Sequence, residues 1–167
     1  MLFWRRGGKN WAENTYGLKA MKRTVRKSSV FPSDTATIWE HLQHMQTLQY
    51  IAFPFAVFKN VKGDGDFKWE EGESFEVYFR LFGIIPFGIH CIKIIKFDQA
   101  NFQILSNESN RFVPIWNHRI YLHSIDSEHT EYTDVVEIDA GWKTLFVYLW
   151  ANLFYRHRQK RWIKLLK

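Results

Sequence analysis

Few side chains in this sequence are able to do chemistry, and their spacing favours one pairing, His118 with Asp134. In the segment IWNHRIYLH, Trp116, His118, Ile120 and Leu122 share one face of a strand and Asn117, Arg119, Tyr121 and His123 the other, because side chains alternate along a strand. The first set is the more apolar and is expected to face inward. In TEYTDVVEID the inward set is Tyr132, Asp134, Val136 and Ile138. A short turn around Ser127 joins the two segments and allows a register with His118 opposite or diagonal to Asp134, within ~5–8 Å. A carboxylate so placed orients an imidazole and raises its basicity, either for proton transfer or for holding a ligand hydroxyl or carbonyl. The pair also has a purely structural use, since buried polar groups must satisfy one another.

Other combinations fall short. His90 and Cys91 are adjacent on a strand, point to opposite faces and cannot act as base and nucleophile together; Cys91 reads as a small packed hydrophobe. His41 and His44 have helical spacing but no third ligand, so no metal site is expected, and no cofactor is implied. The Lys62-Gly63-Asp64-Gly65-Asp66 stretch lacks both the Gly-Lys-Ser/Thr ending of a phosphate loop and the ligand series of a calcium loop, and reads as a hairpin connection.

The elements that must position these residues follow from periodicity. Residues 142–166 lack Gly and Pro, carry bulky apolar groups on every side for three turns, and change character at Arg156. As a helix of ~37 Å this element crosses a small domain, its front half buried and its back half, with Arg156, Arg158, Lys160, Arg161, Lys164 and Lys167, solvated. Upstream, Arg23 to Phe31 reads as a strand stopped by Pro32. Ser33 or Asp34 caps a helix with Ile38, Leu42 and Met45 on one stripe, and a second short helix ends before Pro54. Six segments rich in β-formers follow, beginning at AVFKNV, with GIIPFG as the turn between the second and third. The result is an α+β chain: a curved, seven-stranded antiparallel sheet wrapped around one long C-terminal helix, two short helices after the first strand closing one end, and a candidate pocket between sheet and helix. Residues 1–20 have no sustained period and read as an N-terminal extension to a single domain over 21–167, on whose surface Trp4, Trp11 and Tyr16 could dock.

The element order, FGIIPFG between two strands, Trp116-x-His118, the Thr130-x-x-Thr133-Asp134-x-Val136-Glu137 strand and Tyr155-Arg156-His157-Arg158 in the closing helix resemble the START-like SRPBCC superfamily, most of all its polyketide cyclase/dehydrase-like branch. The resemblance covers about Arg23 to Leu166. It implies a helix-grip fold with a deep apolar cavity for lipids, polyketides or similar molecules. It implies no particular reaction, since such folds host carriers, cyclases and hydrolases alike.

Composition narrows the choice. A content of 46% hydrophobic and 18% aromatic residues, including eight Trp and fifteen Phe, supplies both a core and a greasy pocket wall. The expected pocket residues are Phe79, Phe82, Phe87, His90, Trp116, His118, Ile120, Tyr132 and Asp134 on the sheet and Leu145, Leu149 and Leu153 on the helix. A net charge of +6 is concentrated toward the chain ends, so nucleic-acid binding is not expected; the amphipathic helix end, with Trp162, Ile163, Leu165 and Leu166, could instead touch an anionic membrane. One cysteine and no membrane-length apolar run fit a cytoplasmic protein. Three readings stand: a carrier of an apolar or amphipathic molecule, a cyclase/dehydrase-type enzyme using His118 and Asp134, and an interaction module. A His–Asp pair in contact at the bottom of an open pocket would favour the enzyme, a pocket without polar convergence the carrier, and a filled core the interaction module.

Overall fold

Alternation of buried and exposed side chains builds seven strands, and the described residues, 21–63 and 69–167 of a computed structural model, place them in one antiparallel sheet. The strands are β1 (Arg23–Phe31), β2 (Ala56–Asn60), β3 (Ser74–Leu81), β4 (Ile85–Asp98), β5 (Gln103–Asn110), β6 (Ile115–Ser124) and β7 (Thr130–Asp139). Their order is β1-β7-β6-β5-β4-β3-β2, so the first strand joins the last and the rest form a meander. Helices α1 (Thr35–Leu42) and α2 (Met45–Ala52) follow β1, and α3 (Thr144–Leu165) closes the chain. This is the helix-grip architecture expected from the sequence. The N-terminal extension and most of the Lys62-to-Asp66 stretch lie outside the described residues.

Local chemistry sets the element ends. The Asp34 carboxylate accepts from the Thr37 backbone N–H at 2.9 Å, capping one of the unpaired donors at the start of α1. The second helix ends at Ala52 and Phe53 turns extended ahead of Pro54. The FGIIPFG stretch differs from its expected role as a turn throughout. Only residues 82–84 turn, with Phe82 and Gly83 at positive φ, and β4 already starts at Ile85. Pro86 is tolerated there because β5 pairs with β4 only from His90 onward, leaving residues 85–89 with a neighbour on one side. The β3 pairing skips Phe87, a bulge at Gly88 with φ of 83°, and Phe87 reaches the concave side, where its ring lies 5.5 Å from that of Phe79.

Helix α3 lies along the concave face and packs on β1, β7 and α2. At its C-terminal end Trp162 is completely buried among Phe31, Ile38, Trp39, Ile51 and Tyr132, forming the densest part of the core. A cavity lies between sheet and helix, lined by α3 residues from Phe146 to Trp162. Among the described residues no helix is long and apolar enough to cross a membrane.

Candidate functional site

The cavity measures about 360 Å³ and has walls from every layer. The sheet contributes Phe58, Phe79, Phe87, Ile92, Ile94, Ile104, Val113, Trp116 and Ile120; α2 contributes Leu48 and Ile51; α3 contributes Phe146, Val147, Trp150, Phe154, Tyr155, Arg158 and Trp162. Nearly all of this is aromatic or aliphatic. The polar side chains converge in one region, from adjacent strands: His90 on β4, Ser106, Glu108 and Asn110 on β5, and His118 on β6, facing Arg158 of the helix.

Strand parity explains the convergence. On β5 the residues Ile104, Ser106, Glu108 and Asn110 alternate inward, and cross-strand pairing sets Glu108 opposite both Ile92 and Trp116. Its diagonal neighbours are then His90 on one side and His118 on the other. His90 Nε2 donates to Glu108 Oε2 at 2.9 Å, and the Ser106 hydroxyl donates to Oε1 at 2.7 Å. The Asn110 amide oxygen accepts from the backbone N–H groups of Phe112 and Val113 at 2.8 and 2.9 Å, which turns its amide nitrogen toward His90 Nδ1 at 3.2 Å. His90 therefore accepts at Nδ1 and donates from Nε2, the pattern of a neutral ring in a fixed tautomer.

His118 lies diagonal to Asp134, because β6 and β7 pair His118 with Val136 and Ile120 with Asp134. Its Nε2 donates to Asp134 Oδ1 at 2.8 Å, and its Nδ1 stands 3.7 Å from Glu108 Oε1. Burial pushes the imidazole pKa down, yet the bonds to Asp134 and Glu108 outweigh it and hold His118 above its ordinary value. Burial likewise pushes Glu108 up, but hydrogen bonds from His118 and His90 outweigh it and hold the carboxyl well below the usual range. The arrangement is a buried imidazole held between two carboxylates. Asp134 is further held by Gln159 Nε2 at 3.2 Å and the Tyr132 hydroxyl at 3.4 Å; the Gln159 amide is itself fixed by Lys27 O and the Ser29 hydroxyl. Among the described residues no group of three or more His, Cys, Asp or Glu side chains is placed to hold a metal ion.

Set against the expected pocket residues, the structure brings Phe79, Phe87, His90, Trp116, His118 and Ile120 onto the cavity wall. Six others lie elsewhere. Asp134 and Tyr132 are fully buried behind that wall, so Asp134 reaches the cavity only through His118. Phe82, at the hairpin turn, is half-exposed and packs its ring on Phe55 at 5.7 Å. Leu145, Leu149 and Leu153 are exposed, on the outer side of α3. The inward stripe is Phe146, Trp150, Phe154, Arg158 and Trp162, the neighbouring row at the same four-residue spacing. A helix apolar all round carries no phase in its front half; Trp162 and Arg158, buried further along, set it. The helix end is a solvated handle only in part: Arg156, Lys160, Lys164 and Lys167 are exposed, whereas Arg158, Gln159 and Trp162 are buried and Ile163, Leu165 and Leu166 pack on the core. Sequence reasoning passed over Glu108 and Arg158. The signal for Glu108 was its shared parity with Ile104, and for Arg158 its place four residues before Trp162.

Comparison with known proteins places this geometry. A family described as a domain of unknown function (DUF8410) matches residues 29–166. No curated protein matches the sequence. Among solved structures, the Zhui aromatase/cyclase from Streptomyces sp. R1128 superposes with a TM-score of 0.66 at 12% identity, covering 87% of this chain and 93% of the other. A START superfamily protein from Mycobacterium smegmatis gives 0.65 at 12%, over 86% and 96%. A point mutant of norcoclaurine synthase from Thalictrum flavum, in complex with a transition state analogue, gives 0.60 at 11%, over 89% and 96%. The fold is the START-like helix grip, and at these identities the likeness extends to the fold alone.

Proposed function

The chain belongs to the DUF8410 family, a domain of unknown function, and we propose that it binds and carries a small apolar or amphipathic molecule in the cavity between sheet and α3. The observation that carries this reading is the cavity's composition: a long aromatic and aliphatic wall with polar groups gathered in one region, the usual build of a site that takes an apolar body and orients one polar end. An open cavity also argues against a filled core acting only as an interaction module. The aromatase/cyclase and norcoclaurine synthase neighbours keep the cyclase/dehydrase-type reading in view. His118 and Asp134 are in contact beside an open cavity, as that reading requires, but both imidazole nitrogens of His118 face carboxylates. A ring whose two nitrogens both face carboxylates has no nitrogen turned freely toward a third group and is a poor base for it. This favours binding over proton transfer. Native mass spectrometry of the purified protein, with solvent extraction, tests the reading. An extractable apolar molecule bound one to one supports it; extraction of a dehydrated or cyclised product after incubation with a poly-ketone would move the assignment to the enzyme.

A second reading concerns where the ligand comes from. The segments that carry the cavity-lining Leu81, Phe87, Phe146 and Val147 also carry an exposed apolar rim: Ile84 is 79% exposed, Trp142 70% and Phe146 67%, and Leu149 and Ile85 are exposed as well. The two segments that carry these residues, 77–97 and 142–167, contain no Asp or Glu, and Arg80, Lys143 and Arg156 lie within them. Apolar surface on two segments whose only full charges are cationic suits an anionic bilayer. Contact at this rim replaces contact at the helix end, whose apolar residues are spent in the core. Vesicle flotation tests it: the protein should float with phosphatidylglycerol-containing vesicles and not with pure phosphatidylcholine, and the pair Ile84→Glu, Phe146→Glu should abolish flotation. Equal recovery with both vesicles would remove the proposal.

A further inference from the structure

Arg158 is the one polar cavity residue that the buried network leaves largely unused. It is 5% exposed, on the inward stripe of α3, and lines the cavity. A buried guanidinium is ordinarily matched by a carboxylate in bidentate contact. Among the described residues no carboxylate lies within 4.0 Å of it, because the two nearby ones are committed: Asp134 accepts from His118, Tyr132 and Gln159, and Glu108 from His90 and Ser106. What Arg158 has is one long bond from Nη2 to the Tyr132 hydroxyl, 3.4 Å, and a position over the Tyr155 ring, 5.5 Å from its centroid. Its Nε–H is buried and has no acceptor; the same is true of the indole N–H groups of Trp150 and Trp162, which also line the cavity. The cavity wall thus has spare donors, while its carboxylates already accept hydrogen bonds. An unmet buried donor costs free energy, more so when charged, and a ligand oxygen would remove that cost.

We propose that Arg158 is the polar anchor of the cavity and selects apolar ligands whose polar group is an oxygen acceptor, a ketone carbonyl or a carboxylate, over hydrocarbons and over ligands that can only donate. The proposal rests on the ligand-binding reading above and narrows it. The anchor sits on the helix side, so the ligand's oxygen lies toward α3 and its apolar body lies against Phe79, Phe87 and Trp116 on the sheet. His118, bonded to Asp134 and facing Glu108, plays no direct part in recognition.

The test uses three compounds of one carbon skeleton, butylbenzene, butyrophenone and phenylbutyrate, as competitors of the neutral fluorescent probe N-phenylnaphthylamine. Failure of the probe to bind would refute the ligand-binding reading itself. With the probe bound, butyrophenone, phenylbutyrate or both should displace it at least about tenfold more effectively than butylbenzene. A preference for one alone identifies the acceptor, and either case supports the proposal. In Arg158→Met the preference should collapse while butylbenzene is unchanged, and Arg158→Lys should keep part of it. Trp150→Phe, which keeps an aromatic ring next to Phe154, serves if the Arg158 variants do not fold, and should reduce the preference by a smaller factor. Equal displacement by all three compounds in the unaltered protein, or a preference that survives Arg158→Met, would overturn the proposal.

Discussion

Each half of α3 departs in part from the surroundings that its composition suggests. The front half, with Leu145, Phe146, Leu149 and Leu153, is the apolar half, and all four side chains are exposed. The back half is where the charges are, and there Arg158, Gln159 and Trp162 are buried. The difference follows from the shape of the grip. Around Trp162 the helix packs on Phe31, Ile38 and Tyr132, and around Ala151 and Tyr155 on Val25, Val136 and Ile138, while the row from Phe146 to Trp162 faces the cavity and the Leu145 row faces solvent. The accessible apolar surface of α3 is therefore concentrated in its front half. The buried polar groups are in the back half because their partners on β1 and β7, Lys27, Ser29, Tyr132 and Asp134, are within reach there.

This contrast can be broken most sharply at Trp162. Its ring stacks 5.9 Å from Phe31 and lies 5.7 Å from Tyr132 with no solvent contact, so Trp162→Ala should cost roughly 3–5 kcal/mol in denaturant unfolding. A loss under 1 kcal/mol would mean the back half is not the anchor.

His118→Ala comes next. It leaves Asp134 and Glu108 facing each other's field without the imidazole between them, and removal of one partner from such a buried set costs roughly 3 kcal/mol, with a small effect on apolar-ligand affinity. Equal stability with lost affinity would return His118 to a direct role.

The same group sets a pH dependence. A raised folded pKa makes the His118 contribution complete below its ordinary value of 6.5 and lost as pH rises through the folded value. The lowered Glu108 contributes fully above its ordinary 4.5 and loses that contribution as pH falls through its folded value. Melting temperature should thus be highest between these limits, and the gap between the unaltered protein and His118→Asn should shrink from pH 6 toward pH 9. A gap that widens with pH would reverse the assignment of charge.

The smallest effect is expected in the front half: Leu149→Ser and Leu153→Ser should each change stability by no more than about 0.5 kcal/mol, since both side chains are already in water. If either costs as much as a core leucine, that surface is covered in solution.

The strands, the capped first helix and the contact between His118 and Asp134 were legible because each rests on local rules: two-residue alternation, a turn short enough to limit register, and an Asp before a helical stripe. The role of GIIPFG was misread because a bulge at Gly88 depends on which neighbouring strand is present, a long-range fact. The phase of α3 was misread for a related reason. In a helix with apolar groups on every side, the hydrophobic pattern is equally satisfied by the Leu145 row and by the Phe146 row, and only tertiary packing at Trp162 decides between them. Arg158 was assigned to solvent because charge alone predicts exposure; its burial reflects partners on strands that sequence spacing does not bring into view.

The account's central claim is that the cavity, and not the exposed apolar rim, holds an apolar ligand. Titration with N-phenylnaphthylamine of the unaltered protein and of Val147→Trp tests it most directly, because Val147 lines the cavity and an indole at that position fills part of it. The prediction is saturable one-site binding that weakens at least about tenfold in the variant while the melting temperature holds. No saturable binding to the unaltered protein, or binding unchanged by Val147→Trp, would contradict it.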